Sequence, residues 1–168
     1  MLKGKKYKVL LIEDDVFDQD TFLRFVKRSG LDWETYLSGS VVSAKRMLES
    51  SNFDVIITDH KLPDGDGMDI IKLTTDIPII VTTGVGNEEI AVKLIKAGAY
   101  EYLIKDPEQK YLKEIPLIIE NAIKTKFSEV QLKEFHSKLK VMVESRTEEL
   151  SGLNERLMKE VEKQRETE

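Results

Sequence analysis

The chain has 168 residues, 40% of them hydrophobic and 34% charged, and a formal net charge of −5. That size and apolar content allow one ordinary domain with a single core plus an extra element, rather than two separately cored domains. The absence of cysteine excludes a disulfide framework and thiolate metal sites, and fits a reducing compartment. No apolar run approaches the ~18 residues of a membrane helix. The start Met1-Leu2-Lys3-Gly4-Lys5-Lys6 leads into a strand too soon for a signal peptide, so the chain is read as cytoplasmic with no membrane partner.

In chain order the hydrophobic periods alternate. Strand character at Lys8–Ile12 is followed by a helix from Asp15 to Ser29, a strand at Glu34–Leu37, a helix at Val41–Ser50 and a strand at Asp54–Asp59. A helix at Asp66–Thr74, a strand at Ile79–Thr82, a helix at Glu88–Lys96, a strand at Tyr100–Ile104 and a helix starting near Pro116 complete five β/α units. Units of this size imply an α/β fold, a parallel sheet with helices on both faces and right-handed crossovers. The first, third and fourth strands are nearly continuous in apolar residues and should be central, whereas the second, with Glu34, Thr35 and Ser38, reads as an edge. Pro116 is expected in a first turn, where its missing N–H costs no bond.

Ligand crevices in open α/β sheets lie outside the carboxyl ends of the strands. Four strand ends here carry matched chemistry. The first ends in Glu13-Asp14-Asp15, the third in Asp59, the fourth in Thr83 and the fifth in Lys105. Carboxylates at Asp14 and Asp59 are hard oxygen ligands suited to Mg²⁺, which takes one or two protein carboxylates together with phosphate oxygens. With charge neutralised there, Asp59 can attack a phosphoryl group and form an aspartyl phosphate, with Thr83 and Lys105 holding the phosphoryl oxygens.

Other polar residues have plainer readings. Thr82 reads as a strand residue, His60 as an exposed loop residue, His136 as a surface histidine, and Asp64 and Asp66 as turn formers around Pro63 and Gly65. Lys3, Lys5, Lys6 and Lys8 read as a solvated terminus.

The same residues carry a family resemblance. Glu13-Asp14, then Asp59 with Pro63 and Gly67, then Pro78 to Thr83, then Gly98 to Lys105 stand in order, with 45, 24 and 22 residues from Asp14 through Asp59 and Thr83 to Lys105. From about Lys6 to Lys124 the chain resembles a response-regulator receiver domain of the two-component systems. The resemblance implies a flavodoxin-like, doubly wound five-stranded sheet in the order 2-1-3-4-5. It implies a phosphoacceptor at Asp59, Mg²⁺ ligands at Asp14, Asp59 and the Lys61 carbonyl with Glu13 acting through water, switch residues at Thr83 and Tyr102, and a phosphate clamp at Lys105. The implied partner is a phosphohistidine donor, a histidine kinase or phosphotransfer protein. One departure follows Lys105, where Asp106 precedes Pro107 and family members often place proline directly. The stretch Tyr102 to Leu117 resembles receivers fused to sensory or kinase modules.

Residues 1–124 are thus expected to form the receiver and residues 125–168 a separate helix. Beyond Leu117 there is no proline and one glycine, Gly152, while apolar residues recur at Leu132, Phe135, Leu139 and Met142, then at Leu150, Leu153, Leu157 and Val161. Steps of three and four on a charge-rich helix describe a coiled-coil seam that needs a partner, most simply a second copy in a parallel homodimer. The phase slips between Met142 and Leu150, where Arg146 sits on the seam and Thr147, Ser151 and Gly152 lower helix propensity, which suggests a stutter or local unwinding. The segment Arg146 to Leu157 resembles the linkers that feed sensory, histidine-kinase or cyclase domains. The pattern stops midway at Arg165-Glu166-Thr167-Glu168, so the alternative reading is an N-terminal fragment of a hybrid histidine kinase or other output enzyme whose catalytic domains lie beyond residue 168; a second alternative is an interaction module whose receiver is never phosphorylated. Residues 125–168 hold 9 Lys/Arg and 10 Asp/Glu, leaving 17 and 21 of the totals of 26 and 31 for residues 1–124. Neither part is basic, and without a helix-turn-helix pattern no nucleic-acid partner is expected.

Overall fold

The computed structural model describes residues 6–166. Strand β1 (Tyr7–Ile12), helix α1 (Val16–Arg28), β2 (Trp33–Ser38), α2 (Val41–Ser50) and β3 (Val55–Asp59) open the chain. A small hairpin of β4 (Lys61–Leu62) and β5 (Gly65–Asp66) leads into α3 (Gly67–Ile71). Then come β6 (Ile79–Thr83), α4 (Glu88–Ala97), β7 (Glu101–Ile104) and α5 (Tyr111–Arg165). Apart from the hairpin, the strands form one parallel sheet in the order β2-β1-β3-β6-β7. This is the expected flavodoxin-like winding, with β2 at an edge.

Alternation along the central strands divides the core into two layers. Val9 and Leu11 of β1, Val55 and Ile57 of β3 and Ile80 of β6 pack with Phe22 and Val26 of α1 and Leu112, Ile115 and Ile119 of α5. Leu10, Ile12, Ile56, Ile79 and Val81 point the other way, onto Ala44 of α2, Ile70 and Ile71 of α3 and Leu94 of α4. Both faces are covered, which is why these strands read as continuous apolar runs.

The helix starts are capped. Asp15 accepts from the Phe17 N–H at 2.7 Å, and Ser40 from the Ser43 N–H at 3.1 Å. Asp64, at the hairpin tip, accepts from the N–H groups of Val41 and Val42 at 2.8 and 3.0 Å, and these bonds hold its carboxyl below the usual range. Asp66 forms a capping box with Asp69 on α3. The two aspartates that flank Gly65 are therefore helix caps. Gly98 ends α4 at φ 118°, a left-handed position open to glycine at no steric cost.

Two helices differ from expectation. Helix α3 ends at Ile71 rather than Thr74, because Thr74, Thr75 and Asp76 bond locally, Asp76 N–H to Thr74 Oγ1 at 3.2 Å, and Pro78 restricts Ile77. Helix α5 starts at Tyr111, five residues before Pro116. The Tyr111 N–H donates to Asp106 Oδ2 at 3.0 Å, and Leu112 and Ile115 are buried. Those anchors outweigh the one backbone bond that Pro116 cannot make to Leu112.

The chain divides into two compact units, one ending at Lys126 and the other starting at Phe127. In the second, the helix is unbroken through the expected slip, and Arg146 pairs with Glu149 at 2.9 Å on its surface. Leu132, Phe135, Leu139, Met142, Leu150, Leu153, Leu157 and Val161 are all exposed there. Lys3, Lys5, Thr167 and Glu168 lie outside the described residues. Lys6 and Lys8 are exposed, with Lys6 3.6 Å from Glu34.

Candidate functional site

The sheet's bonding continues one residue past several strand ends, and this aligns the polar residues that follow. The Glu13 N–H donates to the Ser38 carbonyl at 2.8 Å, the His60 N–H to Thr82 at 2.8 Å and the Lys105 N–H to Thr83 at 2.7 Å. Glu13, Asp14 and Asp59 are thereby brought together, with carboxylate oxygens all within 4.8 Å of one another. Glu13 is buried, Asp59 half-buried and Asp14 exposed.

Lys105 reaches across from the end of β7. Its ammonium bonds Glu13 Oε2, lies 2.8 Å from Asp18 Oδ2 and 3.3 Å from Asp59 Oδ2, and is 14% exposed. Burial alone would lower the lysine pKa, but hydrogen bonds to Asp18 and Glu13 and the nearby charges overcome it and raise it. Burial in turn pushes the Glu13 carboxyl up, against the downward pull of Lys105. With Asp14 beside Glu13 and Asp59, the site gathers four carboxylates and one ammonium, a formal charge of −3. Such an imbalance favours a hard divalent cation, and the oxygen-only donor set fits Mg²⁺.

Thr83 is buried, and its hydroxyl donates to the Val85 carbonyl at 3.2 Å. The Tyr102 hydroxyl donates to the same carbonyl at 3.4 Å. Lys61 is exposed in β4, two residues beyond Asp59. Thr82 is buried and bonds the Thr58 carbonyl at 3.3 Å, as befits a strand residue, and His136 is exposed.

The reading of the sequence misses Asp18 and Tyr111 and takes His60 as more exposed than it is. Asp18 belongs to no strand end; the cap at Asp15 starts α1 at Val16 and so places Asp18 in its first turn, beside Lys105. His60 is half-buried rather than an exposed loop residue, and its Nδ1 is sealed without a hydrogen-bond partner beneath Gly67. Tyr111 stands within electrostatic reach of the cluster. Burial, with Lys105 opposing it and Asp18 and Glu13 adding to it, pushes its hydroxyl up to about 12.

The sequence profile of the response regulator receiver domain matches residues 9–115. The chain belongs to that family. Among similar receivers, the two-component response regulator ORR21 of Oryza sativa subsp. indica is 34% identical over 129 residues, which make up 73% of this chain and 18% of that protein. The methanogenesis regulatory protein FilR1 of Methanothrix harundinacea is 29% identical over 124 residues, 70% of this chain and 27% of that protein. The chain thus spans about a quarter or less of the length of these curated relatives. The receiver domain of the sensor histidine kinase PA1611 from Pseudomonas aeruginosa, solved with a magnesium ion coordinated in its active-site cleft, aligns with a TM-score of 0.61 at 23% identity, covering 71% of this chain and 99% of that one. No helix among the described residues of this receiver is long and apolar enough to cross a membrane.

Proposed function

We propose that this receiver is a Mg²⁺-dependent phosphoacceptor, modified on Asp59 by a phosphohistidine donor such as a histidine kinase or phosphotransfer protein. The observation that carries this reading is the convergence of Asp59 with Glu13 and Asp14 on one side and the Lys105 ammonium on the other. In the transfer, an Asp59 carboxylate oxygen bonds to phosphorus as the phosphorus–nitrogen bond of the donor imidazole breaks, and the imidazole leaves with the electron pair. Asp14, Asp59 and the Lys61 carbonyl would hold the ion, with Glu13 acting through water; when bound, Mg²⁺ would neutralise charge on the transferring oxygens. Lys105 holds one phosphoryl oxygen and Thr83 another.

Thr83 and Tyr102 share the Val85 carbonyl, so a Thr83 hydroxyl that turns to a phosphoryl oxygen removes one of two bonds on that turn and frees Tyr102 to repack. Residues 1–124 act as the receiver. Residues 125–168 act as a coiled-coil signalling helix that pairs in parallel with a second copy, and the exposed apolar seam supports that role.

The test is intact mass after incubation with acetyl phosphate and Mg²⁺. The parent should gain one phosphoryl mass and Asp59→Asn none. A phosphorylated Asp59→Asn protein, or a parent that never gains the mass, would overturn the assignment.

A further inference from the structure

Lys105 has three N–H donors and meets three carboxylates. Two of them, Glu13 and Asp59, belong to the strand-end constellation. The third, Asp18, is closer to the ammonium than Asp59 is, 2.8 Å against 3.3 Å, and serves no other element of the site.

We propose that Asp18 is a positioning residue that sets how strongly Lys105 grips the phosphoryl group on Asp59. The inference rests on Asp59 being the phosphoacceptor. A phosphoryl group there raises the local negative charge and offers better acceptors for the N–H now directed at Asp59 Oδ2. Glu13 cannot release the lysine in exchange, because its side chain is 4% exposed and would be left as an uncompensated buried charge. Asp18, 35% exposed, is hydrated whether or not the lysine faces it. While Asp59 is unmodified, Asp18 keeps the ammonium inside the crevice. Once the phosphoryl group is present, the Asp18 charge offsets part of the lysine's attraction for it.

The plainer explanation is that an acid in the first turn of α1 simply complements the helix dipole. That role would not involve Lys105. Asparagine at position 18 separates the two, since its amide oxygen still accepts from the ammonium while the charge is gone. Asp20 provides the control, being an exposed acid on the same helix whose side chain makes no bond to Lys105 among the described residues.

The experiment titrates Mg²⁺-saturated protein with beryllofluoride, a non-hydrolysing stand-in for the phosphoryl group on Asp59, and follows bound fluoride by ¹⁹F NMR. Asp18→Asn should bind roughly three- to ten-fold more tightly than the parent, the effect of one screened charge removed next to the clamp. Asp18→Glu, which keeps the charge, and Asp20→Asn should each stay within about two-fold of the parent, as expected of charges that are retained or remote. Should Asp18→Asn fail to fold, Asp18→Ser, which also removes the charge, takes its place under the same expectation. Equal or weaker binding by the charge-removing variant, or an equal gain from Asp20→Asn, overturns the proposal while leaving Asp59 as acceptor. A parent that binds no beryllofluoride overturns both.

Discussion

Replacing Asp14 by asparagine should stabilise the metal-free protein and remove its stabilisation by Mg²⁺. The Asp14 carboxylate lies within 4.8 Å of carboxylate oxygens on both Glu13 and Asp59, and no hydrogen bond to it is found among the described residues. Two unit charges at that separation repel by about 0.9 kcal/mol in water and about 3.5 kcal/mol at an effective dielectric of 20. Asp14 is exposed, which places both repulsions toward the lower figure, and Lys105 offsets part of them. The net release is about 1 kcal/mol, or roughly 3–5 °C in melting temperature for a domain of this size. In the parent, Mg²⁺ at ten times its dissociation constant should add about 1.4 kcal/mol, a gain the variant forfeits with its ligand. The order of stability should therefore reverse between EDTA and Mg²⁺, read by thermal melts followed by circular dichroism. A variant that melts below the parent in EDTA, or one stabilised by Mg²⁺ as much as the parent, would refute the reasoning.

Lys105→Met leaves Glu13 buried without its cation, so the Glu13 carboxyl should rise further above the usual carboxylate range. A raised folded-state pKa gives stability that is present at low pH and lost as pH rises through it, so the variant should lose about 1–3 kcal/mol relative to the parent between pH 5 and 8 in urea melts; a pH-independent difference contradicts this. If residues 125–168 pair in parallel as proposed, single cysteines introduced at Leu139 and at Leu157 should each crosslink to the same position in a second copy. Crosslinks only between position 139 and position 157 in a mixed sample would mean an antiparallel pair, and none at either site would refute the coiled coil.

The parts of the fold that were legible in the sequence are those where one local signal dominates. Central strands announce themselves as apolar runs because both their faces are covered, and Asp15, Ser40 and Asn87 mark helix starts because each side chain satisfies the N–H groups that follow. What could not be read depends on contacts distant in sequence. Asp64 is the turn residue its neighbours suggest, but its carboxylate also closes α2 from 22 and 23 residues away, which no local signal shows. A local rule sets the start of α5 near Pro116, while Asp106 and the buried side chains of Leu112 and Ile115 begin it earlier.

The site shows the same division. Strand ends are set by the sheet, so Glu13, Asp14, Asp59, Thr83 and Lys105 could be brought to one edge from order and spacing alone. Asp18 comes from the side of the crevice, and only the reach of Lys105 across 87 residues of sequence reveals its part. That difference has a chemical consequence. Residues on the strand ends are held by backbone bonds and can supply fixed geometry, whereas an acid on the first turn of a helix, half-exposed, contributes mainly charge. The rigid residues would decide whether a phosphoryl group fits on Asp59, and the peripheral acid how tightly it is held.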